Sequence, residues 1–507
     1  MRFIKNGILI IVVLYLFSFS IVWFHSKNHL SGNTIDLIFK TTKLNYVWTV
    51  LRNKTNLLPK VYSFFNYQNY FKKKEHDIKF IFSKEDIKFN DSIIESAIKS
   101  GFFPDSLKSW RNAQLIYKGE IRDIKYKFHG SSISSYRKGF RSYKIKASDK
   151  IFGRNTFTLI NGLEMQYEQI FFNLLGRNEG LFSEDYGQII KGYDYLSTDF
   201  YLYNTFNDVF FNNTYKKLLK YKFKKSFNSK YSFADRTDKF HYSLDESFNF
   251  NENGLGSSLN KYRDIHSGTY KFNEFEKKYL ANYMALIYLF RDEHQILGYN
   301  SIWLSVDDYL VPKYRNEGVL SILPSDPNDL DNSIFMDYPT HKSHIFQKLI
   351  INNEIRNLRN KAIYRMLKKE KVVINTLDSI YEKYKNIHVL YNPMSFYVTN
   401  QHKVFKSNLK SNFNALRDYL SVNEVFINRT RDSIKLISDS FSNLKLILND
   451  SAEFIIEPRG FYLKGDHIVN DIVENKFLFK KKIEKIILLN KTTGDTISKN
   501  KIIIINE

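Results

Sequence analysis

The stretch Phe290–Leu304, FRDEHQILGYNSIWL, with its continuation Ser321–Asn332, SILPSDPNDLDN, decides how the rest of the chain is read. Polar residues stand there in positions a fold usually gives to apolar ones. A helix delivers Asp292, His294 and Asn300 at its end, and a β-like run follows over Ser301–Val306. A second apolar run, Val319–Leu323, then leads into Asp326, Asn328, Asp329 and Asp331. Phosphoryl transfer needs a carboxylate to orient or deprotonate the attacking hydroxyl, and an amide with a carboxylate oxygen to hold the Mg²⁺ that neutralises the phosphates. Asp292, Asn300 and Asp326 have the chemistry for those roles. The same string also reads as solvated turns, because Asp, Asn and Pro all favour turn backbone.

The helix that aims Asp292 and His294 is predicted over Phe272–Asp292. Asn273 and Glu276 form a capping arrangement at its start. Phe272, Phe275, Tyr279, Tyr283, Ile287 and Phe290 recur at helical spacing and mark a buried stripe. His294, two residues past Asp292, reads best as an orienting residue. His341 and His344 have the spacing of a helical metal pair but read as surface histidines, with only Asp337 nearby as a further acid. No G-x-S-x-G elbow supports a serine hydrolase.

Upstream, Ile78–Phe82 alternates as a strand, and Ser83–Lys99 reads as a helix capped by Ser83, Glu85 and Asp86. Strands are predicted at Leu115–Tyr117 and Ile124–Phe128 around Gly119. A Gly130–Ser131–Ser132 turn and a basic turn through Arg137, Lys138 and Gly139 follow, then a strand Ser142–Ala147. Lys144 and Lys146 share one face of that strand, since residues two apart point the same way. A small-residue turn with free amides and strand lysines suits phosphate binding, and is also an ordinary basic hairpin.

Across 507 residues, 43% apolar and 16% aromatic content describes a largely folded chain with room for two or three domains. The absence of cysteine excludes disulfides, thiolate-zinc sites and thiol nucleophiles. A net charge of +23 invites an anionic partner, but the excess is spread along the sequence, and no nucleic-acid partner is expected.

Arg2 and Lys5 precede an uncharged run, Ile8–Phe24, close to the length that about 30 Å of hydrocarbon requires of a helix. The flanking charges predict a single-pass membrane anchor with a cytoplasmic N-terminus and an exported remainder. A cleaved signal peptide and a secreted protein form the alternative.

The segments HGSSISSYRKGFRSYKIK and IFGRNTFTLIN, the helix YEQIFFNLLGRNEGL, and the spacing of Asp292, His294, Asn300 and Asp326 together resemble the CotH family of secretory protein kinases, as a divergent bacterial member. The likeness runs from about Ile78 to Leu420. It implies a two-lobed α+β fold of atypical protein-kinase type, with ATP and Mg²⁺ or Mn²⁺ bound between lobes and protein Ser or Thr hydroxyls as acceptors. Gly130, Ser131, Ser132 and Lys144 or Lys146 would meet the nucleotide phosphates. Asp292 would be the catalytic-loop carboxylate, beside His294. Asn300 and Asp326 would hold the metal, with Asp329 and Asp331 as alternative ligands. The chain departs from the pattern at Asn204 and Thr205, where an acid is expected, with Asp208 one helical turn on. That departure implies an inactive pseudokinase, or a scaffold that binds envelope polymer, as the alternative.

The expected organisation is an anchor over 1–25, a juxtamembrane linker over 26–75, a kinase-like domain over 76–422 with an insertion at about 206–269, and a C-terminal β domain over 423–507. Helices are expected at Ile345–Tyr384 and Asn408–Leu420. Six short apolar runs, Ile434–Ile437, Leu444–Leu448, Phe454–Glu457, Phe461–Leu463, Lys485–Leu489 and Ile502–Ile505, predict an all-β, sandwich-like domain.

Overall fold

A computed structural model describes residues 77–100, 107–129, 136–137, 140–161, 167–183, 186–193, 198–204, 223–228, 268–292, 302–306, 309–314, 320–333, 344–391, 395–430, 433–464, 467–479 and 482–506, with the single positions 261, 264 and 265. These residues fall into two compact units. One comprises those up to Phe171 with those of Asp185–Asn207 and Thr376–Ser407. The other comprises those of Phe172–Glu184, Asp208–Asn375 and Asn408–Glu507.

The first unit is organised by β1 (Asp77–Ile81), β2 (Arg111–Tyr117), β3 (Glu120–Phe128), a small ladder of β4 (Tyr136–Arg137) with β5 (Phe140–Arg141), β6 (Tyr143–Ile151), β7 (Arg154–Asn161), β8 (Tyr186–Tyr193) and β9 (Thr198–Asn204). Seven of these strands close on themselves in the order β1-β2-β3-β6-β7-β9-β8. The parallel pairing of β8 with β1, Ile78 against Gly192, makes the closure. The β2–β3 connection is a two-residue turn in which Lys118 (φ 53°) and Gly119 (φ 83°) are both left-handed, the geometry that matches the twist of a tight hairpin. Strict alternation sets the faces. Ile124, Tyr126 and Phe128 of β3 and Tyr143 and Ile145 of β6 enter one buried cluster, together with Ile93, Ile94 and Ala97 of helix α1 (Lys84–Ser100). Ser83 starts α1, its Oγ accepting from the Asp86 amide at 3.0 Å. Buried Asn90 and the Tyr126 hydroxyl satisfy each other at 2.9 and 3.0 Å.

Helix α2 (Tyr167–Asn178) precedes β8. The centre of the second unit is α3 (Glu274–Phe290), started by a complete capping box between Asn273 and Glu276. Every residue from Tyr279 to Phe290 except Asn282 is buried, so the predicted stripe is part of a helix covered almost all round. Buried Glu276 also accepts from the Tyr270 hydroxyl and the Leu310 amide. A small sheet of β10 (Phe223–Asn228), β11 (Ile302–Val306) and β12 (Tyr309–Pro312) belongs to the same unit. Then come α4 (Pro327–Ser333), α5 (His344–Ile351), α6 (Asn353–Lys368), α7 (Glu370–Tyr391) and α8 (Ser395–Leu420).

The C-terminal region is β-rich: β13 (Val425–Arg429), β14 (Ser433–Ser438), β15 (Leu444–Leu448), β16 (Ala452–Ile456), β17 (Arg459–Lys464), β18 (His467–Ile472), β19 (Asn475–Leu478), β20 (Ile486–Asn490) and β21 (Ile502–Asn506). A four-stranded sheet, β19-β14-β13-β21, and a three-stranded sheet, β16-β15-β20, share one apolar core through Val425, Ile427, Leu436, Leu444, Leu446 and Leu488.

Two expectations are corrected here. The two-lobed kinase-like fold is replaced by a mixed α/β fold with a closed sheet and a β-rich C-terminal region: β8 pairs with β1 and β9 with β7, which closes the sheet. The membrane anchor and its single-pass topology are also withdrawn. Among the described residues no helix is long and apolar enough to cross a membrane. The run Ile8–Phe24 itself lies outside the described residues, as do the linker expected over 26–75 and all of the insertion except 223–228 and the few positions described between 261 and 269.

Candidate functional site

The sequence placed the chemistry at the end of α3 and in the loop before α4. In the second unit these two segments are stitched together by backbone. Arg291 caps α3 in the left-handed conformation (φ 46°), which lets the Asp292 amide reach back to the Ile287 carbonyl at 3.0 Å. The Ser321 amide then donates to the Phe290 carbonyl at 3.1 Å, and Arg291 Nη1 to the Ile322 carbonyl at 2.8 Å. Asn412 of α8, fully buried, locks the junction. Its Nδ2 donates to the carbonyls of Leu289 (2.9 Å) and Ser321 (2.8 Å), while its Oδ1 accepts from the Leu323 amide (2.8 Å). Asp292 is therefore held at a rigid corner, wholly buried. Its charge, after burial itself, pushes the neighbouring Tyr283 hydroxyl well above the ordinary tyrosine range.

The loop acids take separate places. Asp326 starts α4. Its Oδ1 accepts from the Asn328 amide at 2.9 Å and from Asn328 Nδ2 at 3.0 Å, and Pro327 occupies the first helical position, where a missing N–H costs nothing. Asp329 is exposed. Asp331 turns inward to a wholly buried cluster: its Oδ1 accepts from Arg359 Nη1 (2.9 Å) and the Tyr288 hydroxyl (2.5 Å), and its Oδ2 from the Tyr419 hydroxyl (3.2 Å). Arg359 spends its other donors on Tyr419 (2.6 Å) and Asn360 (2.9 Å), with its guanidinium 4.3 Å from the Tyr288 ring centroid. Burial opposes the arginine charge, yet Tyr288, Tyr419 and Asp331 more than offset it and hold Arg359 above its ordinary range. Burial likewise pushes Tyr288 and Tyr419 up, so both are neutral donors. The cluster extends into the C-terminal strands' region. Asn360 Nδ2 donates to the Phe441 carbonyl at 3.1 Å, and Phe441 stacks on Tyr419 with centroids 4.6 Å apart.

Lys144 and Lys146 lie in the first unit, on the outward face of β6, alternating with the inward side chains of Tyr143 and Ile145. Gly130, Ser131, Ser132, His294 and Asn300 lie outside the described residues, as does His341.

Of the acids that the resemblance assigns to the metal, Asp331 does not fit that role. The Asp331 oxygens are filled by a protein cation and two hydroxyls, and Asp326 is turned into its own helix cap. Among the described residues no group of three or more histidine, aspartate or glutamate side chains gathers as a metal site. Sequence reasoning missed Arg359, Tyr288, Tyr419 and Asn412. The signal for Arg359 was present: Arg356 and Arg359 recur on the apolar face of α6 beside Ile355, Ile363 and Met366, and a charge on such a face needs a buried partner.

No protein-family model and no curated protein matches this chain, so the resemblance to CotH proteins carries no residue role forward.

Proposed function

We propose that this chain acts by holding a partner, as a binding or scaffold protein, and that its Asp-rich loop is a structural joint. The observation that carries the reading is Asp331. It is buried and neutralised by Arg359, with hydroxyls of Tyr288 and Tyr419 on both oxygens, which is how a fold anchors a loop and the reverse of how it presents a ligand to a metal. The cap geometry of Asp326 and the locking of the α3 corner by Asn412 support the same reading, since both spend the polar groups of the loop on the fold itself.

The test is a thermal-shift titration of the purified chain with ATP and Mn²⁺, paired with labelled-phosphate transfer to a general protein acceptor. A ligand that binds the native state raises apparent stability as RT ln(1 + [L]/Kd). The binding reading expects no shift and no incorporation from a folded sample. A saturable shift accompanied by transfer that Asp292→Asn abolishes would overturn it.

A further inference from the structure

We infer that the outer face of β3 and β6 is a binding site for a linear phosphate-bearing polyanion without bases, held by Lys125, Lys127, Lys144 and Lys146. This inference rests on the reading of the chain as a binding protein and names its ligand class.

The register of the two strands sets Lys125 directly opposite Lys146 and Lys127 directly opposite Lys144. The intervening residues, Tyr126 and Ile145, are opposite each other and buried, so all four lysines point away from the core onto one face. Strands lie about 4.8 Å apart, and same-face residues repeat about every 6.7 Å along a strand, so the four side chains root in a tight rectangle. Like charges placed directly opposite each other repel across a sheet. Two such pairs in succession concentrate positive charge on this face.

Trp110 sharpens the point. The Lys146 ammonium lies 4.6 Å and the Lys127 ammonium 5.2 Å from its ring centroid. One indole therefore draws together two cations from different strands and opposed pairs, where repulsion would splay them into water. Lys125 and Lys146 make no ion pair with any described residue. On the adjoining outward positions, Asn112 of β2 faces Lys125, and Thr158 and Thr156 of β7 face Lys144 and Lys146. These are uncharged hydrogen-bonding neighbours. Of the acids on β3 and β6, Asp123 accepts from Gln114 at 3.1 Å, and Asp149 pairs with Arg122 at 3.2 Å.

The ligand class follows from charge and from the state of the tryptophan. A row of cations spaced on a strand ladder suits a chain that repeats its negative charge. Single-stranded nucleic acid is bound by stacking bases on open aromatic faces. Trp110 instead has two ammonium groups on its ring, which favours a polyanion that offers phosphates alone.

The experiment uses the full chain and long-chain inorganic polyphosphate as probe, with oligo-dT as the competing ligand. Binding is read by fluorescence anisotropy or calorimetry across a salt series. Four lysine contacts predict a slope of log K against log salt of about −3, from roughly 0.7 counterion released per contact on a single strand. The variant K125Q/K127Q/K144Q/K146Q should weaken polyphosphate binding by at least about ten-fold at moderate salt. K361Q/K371Q/K491Q/K499Q, with the same change in net charge elsewhere, should leave it unchanged. Because all four ladder lysines face outward, the first variant should keep the parent's thermal unfolding. The single variant Lys125→Gln covers the case in which it does not, with a smaller loss and a slope reduced by about 0.7. Absence of polyphosphate binding, equal loss in both quadruple variants, or tighter binding of oligo-dT would each overturn the inference. A positive ATP and Mn²⁺ shift with transfer would refute the binding-protein reading while leaving the ladder result to stand or fall by itself.

Discussion

Replacing Arg359 by Met removes the cation that is ion-paired with Asp331 while keeping the length of an unbranched side chain on α6. Four donor contacts disappear: Nη1 to Asp331 at 2.9 Å, Nη2 to Tyr419 at 2.6 Å, and Nη2 and Nε to Asn360 at 2.9 and 3.2 Å. The carboxylate is left wholly buried with two neutral hydroxyls. Breaking a buried pair by removing one partner costs about 3–5 kcal/mol, most of it the desolvation of the stranded charge. The loss should appear as a lower urea midpoint with little change in slope, since the surface exposed on unfolding is the same. The double variant R359M/D331L removes both charges, and should recover much of the loss because an apolar replacement of a buried pair is often neutral. Urea denaturation of the parent, the two single variants and the double variant closes the cycle. A cost below about 1 kcal/mol for Arg359→Met, or no recovery in the double variant, would mean that Asp331 is not committed to Arg359. That result would restore the carboxylate as a candidate ligand and refute the structural-joint reasoning.

Two further outcomes are expected. Glu168 is buried in the first turn of α2, and burial pushes its pKa up to about 7 from an ordinary 4.5. Its contribution is fully present below pH 4.5 and is lost as pH rises through about 7. The loss amounts to about 3 kcal/mol over that window at roughly 1.4 kcal/mol per unit. Because buried His402, 3.1 Å from the Tyr167 hydroxyl, has a lowered pKa and acts in the opposite sense on acidification, the clean readout is the difference between Glu168→Gln and the parent. The variant should gain on the parent as pH rises from 4.5 to 7.5, and a flat difference would show that Glu168 titrates normally. Asn412→Leu strips three backbone groups of their partners, two of them buried and each of those worth about 1–3 kcal/mol when left unsatisfied. Hydrogen exchange at Leu323 should accelerate far more than at Leu310, and uniform protection at both amides would contradict the locking role.

What was legible in the sequence is what local physics decides. The capping box of Asn273 with Glu276 and the apolar spacing of Phe275, Tyr279, Tyr283 and Ile287 specify α3 within a few residues of its observed ends, because both depend on contacts three or four positions apart. Ser83 marks the start of α1 for the same reason. Alternation alone puts Lys144 and Lys146 on one face of a strand. It does not say whether that face looks into the core or out to solvent, nor that Lys125 and Lys127 will stand opposite. Strand register and the burial of Tyr143 and Ile145 decide both. Trp110 has no meaning until the hairpin brings two ammonium groups to its ring.

The Asp-rich loop divides in the same way. Asp326 followed by Pro327 is a helix start that the local string contains. The fate of Asp331 depends on Arg359, Tyr288 and Tyr419, at separations of 28, 43 and 88 residues. The closed sheet depends equally on β8 finding β1 across more than a hundred residues. Such pairings are chosen by which arrangement buries the most apolar surface while leaving no charge or backbone group without a partner, a property of the whole packed chain that no window of sequence contains.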